Sequence, residues 1–426
     1  MKQTTKEPYT IAETFVGAGG SHLGFKNNGF KTVYLNEFNL DCIKTLQFNN
    51  PEIFENVIID CKDIRVINFH DLESKLKNKV DVLFGGIVCK GFSLAGERCP
   101  IDDRNYLYLK QLELVRTLNP KVSVIENVPA LLNAKIIKKD LLNIKVKEEI
   151  LTLYQELENI KGIKAEKRKK NINSEEENIK MLFLRSKKKQ IIQKLEDDNL
   201  FISVVEDIIK IYHSLNYRVY LDVLNASCYG SSTARDRIVI VAIRNDVIGN
   251  YTFPAIAYCN NINKTYTKTG IEVLKDYKPL NTVQTALNKI NYSDLSDVDN
   301  HSMQHNEKTI QRFSLIPEGQ NIQDVINTIP QELEVSKFYS RGCTMRLDRN
   351  KPSPTLVPGH SNFPIHPVEN RSITVREASV ITGFPLNYKF FGSHTSRCEQ
   401  VGNAVPIELS TAIAKSVKHF LDNSNV

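Results

Sequence analysis

Between residues 9 and 130 the chain alternates short apolar runs with stretches of helical periodicity. That alternation restricts the fold more than any other feature. The apolar runs predict strands over residues 10–15, 32–35, 57–59, 80–84 and 122–126. Helical spacing predicts helices over 40–48 and 106–118. Strands and helices in this order build a doubly wound α/β domain. The pattern resumes at 218–224 and in the unbroken apolar run 238–243.

Residues 134–212 interrupt it. No proline occurs between Ala130 and Phe253, and Ile150, Leu153, Tyr154 and Leu157 recur at helical spacing. The stretch reads as a helical hairpin whose polar tip lies at 161–177, with a second amphipathic helix from about 181 to 212. Residues 134–200 hold 17 Lys/Arg and 12 Asp/Glu, hence +5 of the chain's net +7. The charge run at 166–170 reads as a solvated loop rather than a nucleic-acid contact. From 244 to about 368 the sequence turns rich in Asn, Thr and Pro, which marks a second, smaller domain. Helices are expected at 373–382 and 405–421.

At 426 residues, 41% hydrophobic and 25% charged, the chain fits a globular protein of one large and one smaller domain. No apolar stretch reaches a membrane span, and the N-terminus lacks a signal-peptide core. Eight scattered cysteines without a CxxC pair fit free thiols in a reducing cytoplasm. His301 and His305 are four apart, but no further ligands are spaced to hold a metal with them, so none is expected.

Chemistry-bearing residues gather at the strand ends. Phe15, Gly17, Gly19 and Gly20 form a turn after the first strand, where glycines let a backbone approach a ligand. An ordinary strand-to-helix turn reads the same way. A nicotinamide site would need a third glycine at a spacing not met here. Glu37, ending the second strand, is placed to accept from ribose hydroxyls or to cap a helix. Asp63 and Ile64 follow the third strand and would bracket an adenine, unless Asp63 is simply an N-cap. Cys89 lies in Gly85-Gly86-Ile87-Val88-Cys89-Lys90-Gly91-Phe92-Ser93, on a loop leaving a strand, where a thiol can be exposed and activated. Free cysteines are more often small buried hydrophobes. Glu126-Asn127-Val128 ends another strand. Arg235-Asp236-Arg237 precedes the run at 238–243. Gly402-Asn403-Ala404-Val405-Pro406 lies near the end.

In this order and spacing the set resembles the C5-cytosine DNA methyltransferases of bacterial restriction-modification type, over most of the chain. The resemblance implies a Rossmann-like α/β methyltransferase fold that binds S-adenosyl-L-methionine, with a smaller target-recognition domain and a helical insertion. It divides the chain into a catalytic domain, 1–245, with the insertion at 134–212; a recognition domain, 246–390; and a segment, 391–426, that returns to the catalytic domain. The cofactor would be held by Phe15, Gly17, Gly19, Gly20, Glu37, Asp63, Ile64, Leu107, Asn403 and Val405. Cys89 would add to C6 of a flipped-out cytosine, Glu126 would act at N3, and one of Arg235 and Arg237 would donate to O2 while the other orders the catalytic loop. Lys90 and Ser93 would contact DNA. The sequence departs from the family where Val88 and Lys90 replace Pro and Gln around the cysteine, and where Thr233 replaces Gln.

The implied partners are double-stranded DNA and a cognate restriction endonuclease, for a monomeric, cytoplasmic, nucleoid-associated protein. Two other readings remain. A tRNA methyltransferase would share the chemistry, but such relatives carry a much reduced recognition domain. A non-catalytic nucleic-acid-binding relative would explain Val88 and Lys90.

Overall fold

The computed structural model describes residues 7–87, 99–137, 143–170, 172–260, 270–333, 335, 342–359 and 362–425. Val88, Cys89, Lys90 and Ser93 lie outside them. The described chain forms two compact units, one of residues 1–86, 114–126 and 217–426, the other of 87–113 and 127–216.

In the first unit, β1 (Thr10–Thr14), β2 (Lys31–Asn36), β3 (Ile58–Asp60), β4 (Val82–Gly86) and β5 (Val122–Asn127) run parallel. The expected strands are present, with ends moved by one or two residues. α1 (Gly20–Lys26), α2 (Leu40–Asn49) and α3 (Phe69–Leu76) connect them, and α4 (Leu107–Leu118) precedes β5.

The second unit holds β6 (Lys135–Ile137), the hairpin of α5 (Ile144–Lys169) and α6 (Glu175–Asp197), β7 (Phe201–Ser203) and α7 (Val204–Ser214). The hairpin closes on Leu153, Leu157, Ile160, Met181 and Leu184, all buried. The expected continuous helix over 181–212 is corrected here. Asn199 takes a left-handed φ of 53° and ends it. Residues 201–203 then pair with 135–137, and Ser203 caps α7 by accepting from the Glu206 N–H.

The sheet continues through β8 (Tyr217–Asn225) and β10 (Asp236–Arg244), with the two-residue β9 (Thr233–Ala234) between them in sequence. Its order is β3-β2-β1-β4-β5-β10-β8, and β8 and β10 are antiparallel. Every residue of β10 from Ile238 to Ile243 is fully buried, which explains the unbroken apolar run. The order reverses between β1 and β4, so the carboxyl ends of these strands form the switch point of a doubly wound sheet.

The rest of the first unit carries β11 (Ile256–Tyr258), β12 (Val273–Lys278), α8 (Val283–Leu287), α9 (Glu307–Ser314), β13 (Ser353–Pro354), α10 (Val375–Ile381), α11 (His394–Asn403) and α12 (Ile407–Asn423). Helix α11 is absent from the sequence-based expectations. Its helix-weak composition gave no period to read, and Ser393 starts it by accepting from the Ser396 N–H. Helix α12 packs on α1 so closely that Ser410 Oγ donates to the Gly20 carbonyl at 2.8 Å. A Cβ at Gly24 would fall on Ser410. Phe25, Phe84, Val124, Val239, Val241, Leu409, Ile413 and Val417 fill the core between these helices and the sheet.

Candidate active site

The turn after β1 is built from unusual backbone. Phe15 (φ 54°), Gly17 (φ 56°) and Gly19 (φ 94°) all occupy the left-handed region, where a non-glycine residue is strained by roughly 1 kcal/mol or more. A Cβ at Gly17 would meet nothing within 4 Å, so that side of the turn is open. One at Gly20 would fall on the Val405 backbone, which shows that 402–405 lies directly against the turn.

Glu37 is buried just past β2. Its Oε2 accepts from the Gly17 N–H and its Oε1 from the Asn39 N–H, each at 2.9 Å. Burial pushes its pKa up, and the backbone donors pull it partly back. The carboxylate therefore ties β2 to the glycine turn, and each oxygen keeps a lone pair for a further donor.

Asp63 caps the short turn at Ile64 by accepting from the Arg65 N–H at 2.9 Å, and the Arg65 guanidinium clasps both carboxylate oxygens. That contact holds its pKa below the usual range. Ile64 is buried. Leu107 is buried at the start of α4, within the second unit. Asn403 is exposed at the end of α11, and Val405 is buried.

Glu126, next to the last residue of β5, lies in register with Gly86 of β4. Its Oε1 lies 2.6 Å from Arg237 Nε, and both side chains are buried. A Cβ at Gly86 would lie 3.8 Å from the Glu126 carboxylate and 3.6 Å from the Phe15 carbonyl. The carboxylate thus stands at the switch point, beside the strand that leads to Cys89. Asn127 accepts from the Val128 N–H at 2.8 Å and donates to the Ile87 carbonyl at 3.2 Å, two residues before Cys89. Ile87, where the described chain leaves β4, is therefore tied to the end of β5.

The two arginines part company. Arg237 faces Glu126. Arg235 donates to the carbonyls of Gly402 at 2.8 Å and Asn403 at 3.5 Å, holding the returning segment. Thr233 donates to Ser353 and Pro354 carbonyls, so this position anchors β13. His301 and His305 share no helix, because residues 301–306 are irregular. His305 accepts from the Ser372 N–H and packs on Phe313. Among the described residues no group of three metal-ligating side chains occurs, and no helix is long and apolar enough to cross a membrane.

Two further organising groups make contacts that sequence reasoning did not foresee. Arg346 uses its whole guanidinium on the carbonyls of Phe313, Ile316, His366 and Glu369 and on Asn370 Oδ1. Tyr388 donates to the Ala18 carbonyl inside the glycine turn at 2.6 Å. Both pairings join distant residues, and no local pattern announces them.

A family model for C-5 cytosine-specific DNA methylase matches residues 9–155 and 156–419. The chain belongs to that family, and it is an enzyme whose family reaction is methyl transfer to cytosine in DNA. It is 29% identical over 428 residues to the Type II methyltransferase M.Eco47II of Escherichia coli, covering 98% of this chain and 80% of that one. It is 28% identical over 423 residues to the Type II methyltransferase M.PspPI of Psychrobacter sp., covering 97% and 80%. The fold is similar to that of DNMT2 of Spodoptera frugiperda, with TM-score 0.55, 15% identity and coverage of 96% and 99%.

Proposed function

We propose that this enzyme transfers a methyl group from S-adenosyl-L-methionine to C5 of a cytosine flipped out of a specific duplex DNA site, through a covalent Cys89 adduct. The observation that carries the reading is the buried Glu126–Arg237 pair at the switch point, between the open glycine turn and the strand leading to Cys89.

The cofactor supplies an electrophilic methyl group. The residues present suit it. Gly17 leaves open space, and the Glu37 carboxylate, fixed by two N–H donors, keeps acceptor capacity for ribose hydroxyls. Phe15, Gly19, Gly20, Ile64, Leu107, Asn403 and Val405 would complete the site. Asp63, clasped by Arg65, serves it by holding the turn at Ile64.

Cytosine C5 is too weak a nucleophile to take a methyl unaided. The Cys89 thiolate adds to C6, forming a C–S bond as the C5=C6 π bond opens and electron density moves toward N3, which takes a proton from the Glu126 carboxyl group. C5 then carries enamine character and would take the methyl as its bond to the sulfonium sulfur breaks, leaving S-adenosylhomocysteine as a neutral thioether. A base then takes the C5 proton as the C–S bond breaks and the thiolate leaves, and N3 returns its proton to Glu126, which restores the aromatic ring and frees both Cys89 and Glu126. Arg237 holds the Glu126 carboxylate in place and would donate to O2. Arg235 would act through the returning segment. Lys90 and Ser93 would contact the DNA around the flipped base.

Residues 246–390 would read the target sequence through the major groove. The two named relatives are Type II methyltransferases, which supports a restriction-modification setting with an endonuclease of the same specificity. The protein would work as a monomer on the bacterial nucleoid.

The test is methyl transfer from labelled S-adenosylmethionine to cytosine-containing duplexes by wild type and Cys89→Ala. Label at C5 with wild type alone supports the reading. Equal transfer by Cys89→Ala, or transfer to tRNA and not to duplex DNA, contradicts it.

A further inference from the structure

The Tyr388 hydroxyl lies 2.6 Å from the carbonyl of Ala18, which belongs to the turn between β1 and α1. The side chain is buried, and its ring packs against Phe384 and Phe390 with centroids 4.9 and 5.4 Å apart. A Cβ at Gly19 would meet the same hydroxyl at 3.0 Å, so the tyrosine closes directly over the Ala18–Gly19 peptide. A carbonyl held by a donor fixes its peptide plane, and that plane sets the left-handed φ of 94° at Gly19. Burial pushes the phenol's pKa well above its ordinary value, so it stays a donor.

Tyr388 is itself fixed from the opposite side. Its backbone carbonyl accepts from Arg376 Nη1 at 2.8 Å. Arg376 is buried and donates to both oxygens of Asp297, at 2.6 and 3.1 Å, and to Asp299 at 3.5 Å. Asp299, also buried, accepts from the Phe390 N–H at 3.3 Å and from Arg397 at 2.7 Å. Gln400 donates to the Phe391 carbonyl at 2.7 Å and accepts from Thr45 of α2, whose hydroxyl in turn accepts from the Phe391 N–H. Residues 388–391 are therefore gripped at consecutive backbone groups by the loop at 297–299, by α10, by α11 and by α2.

This arrangement exceeds what packing alone needs. Arg376 and Asp299 are withdrawn from water, with Asp297 and Arg397 half-buried beside them, at a desolvation penalty that only good geometry repays. The product of that geometry is one hydroxyl set against one carbonyl of the glycine turn. The loop at 297–299 belongs to the segment assigned to target recognition. The hydrogen-bond path therefore runs within that segment from Asp297 to Arg376 and from Arg376 to the Tyr388 carbonyl, and leaves it from the Tyr388 hydroxyl to Ala18 in the cofactor turn.

We propose that Tyr388 is a positioning residue for S-adenosylmethionine, setting the Ala18–Gly19 peptide that shapes the cofactor turn, with Arg376 and Asp297 setting Tyr388. The inference rests on the cofactor reading above. It adds a residue remote in sequence from the turn, and a link to the recognition segment.

The experiment uses the full chain and measures S-adenosylmethionine affinity by calorimetry, together with steady-state rates on duplex DNA. Tyr388→Phe keeps the ring and removes only the donor. The dissociation constant and KM for the cofactor rise about fivefold, as expected for one lost hydrogen bond to a buried carbonyl. The KM for DNA stays within twofold, and so does kcat at saturating cofactor. Asp297→Asn, which loosens the grip on Arg376, raises the cofactor constant two- to threefold. Binding by Tyr388→Phe at the wild-type constant overturns the inference. So does a lowered kcat with unmoved KM, which marks a structural role. If Tyr388→Phe fails to fold, a wild-type cofactor constant for Asp297→Asn overturns it equally. Failure of the wild-type protein to bind S-adenosylmethionine would instead remove the cofactor reading, and is told apart by that control.

Discussion

Arg237 Nε stands 2.6 Å from Glu126 Oε1, with both groups shielded from water where β5 meets β10. A buried pair of this kind is poorly tolerant of losing one member, because the survivor keeps its charge without a partner. Arg237→Ala should destabilise the protein by about 3–5 kcal/mol. Glu126→Gln should cost less, since a neutral amide replaces the charge. The double variant should fall short of the sum by at least about 1 kcal/mol, measured by urea unfolding in a double-mutant cycle. Additive effects would mean that the pair is not coupled in solution. Catalysis should respond more steeply, with Glu126→Gln losing roughly 10²- to 10⁴-fold in kcat on a preferred duplex.

The contact between Gly20 and Val405 makes a separate prediction. A methyl group at Gly20 would fall on the Val405 carbonyl, and Ala404 stands beside it. Backbone cannot move aside as a flexible side chain can. Gly20→Ala should therefore lower stability by about 1–3 kcal/mol and weaken cofactor binding with it. Thermal melts with and without S-adenosylmethionine measure both. An unchanged melting temperature would show that the returning segment does not rest on the turn.

Glu408, in the first turn of α12, has its carboxyl pressed against Gly383, and burial raises its pKa to about 7. The sign follows from linkage. The unfolded chain releases this proton near pH 4.5, whereas the folded chain keeps it until about 7. The group's contribution is thus fully present below pH 4.5 and is lost as pH rises through 7. Glu408→Gln keeps the neutral shape at every pH. Wild type should lose up to about 2–3 kcal/mol relative to Glu408→Gln between pH 4.5 and 7.5, by denaturant unfolding at several pH values. A constant difference across that range would contradict the burial.

The tip of the helical hairpin carries many lysines, and two lysines in and beside it meet acidic neighbours. Lys167 lies 2.7 Å from Glu177, and Lys161 lies 3.1 Å from Glu158. Replacing residues 162–177 by a short linker should leave the slope of log affinity against log salt unchanged within about one unit, because no phosphate contact is lost. A slope reduced by two or more would make the tip a DNA clamp.

Much of this architecture was legible in the sequence because it is local. The strands β1, β4 and β5 announce themselves as apolar runs, and each ends in residues whose chemistry needs a strand end. The 181–212 stretch misled because its apolar spacing continues through Asp197-Asp198-Asn199. The break came from Asn199 in a left-handed conformation and from Ser203 as a cap, and the Ser203-x-x-Glu206 pattern was the available signal. For Asp63 the plainer alternative, an N-cap, describes its contacts, since Arg65 two residues on claims both oxygens. The ties of Tyr388 to Ala18 and of Arg235 to Gly402 span 370 and 167 residues. Only the folded sheet brings such partners together, so no window of sequence contains them.

The most direct test of the covalent mechanism uses a duplex bearing 5-fluorocytosine at the target position, incubated with S-adenosylmethionine and the enzyme. Fluorine at C5 cannot leave as a proton does, so the adduct at C6 persists. The account predicts a denaturant-resistant protein–DNA complex whose mass includes one transferred methyl group and whose cross-linked peptide contains Cys89, absent with Cys89→Ala. A trapped complex through another residue, or methylated product from Cys89→Ala, would contradict it.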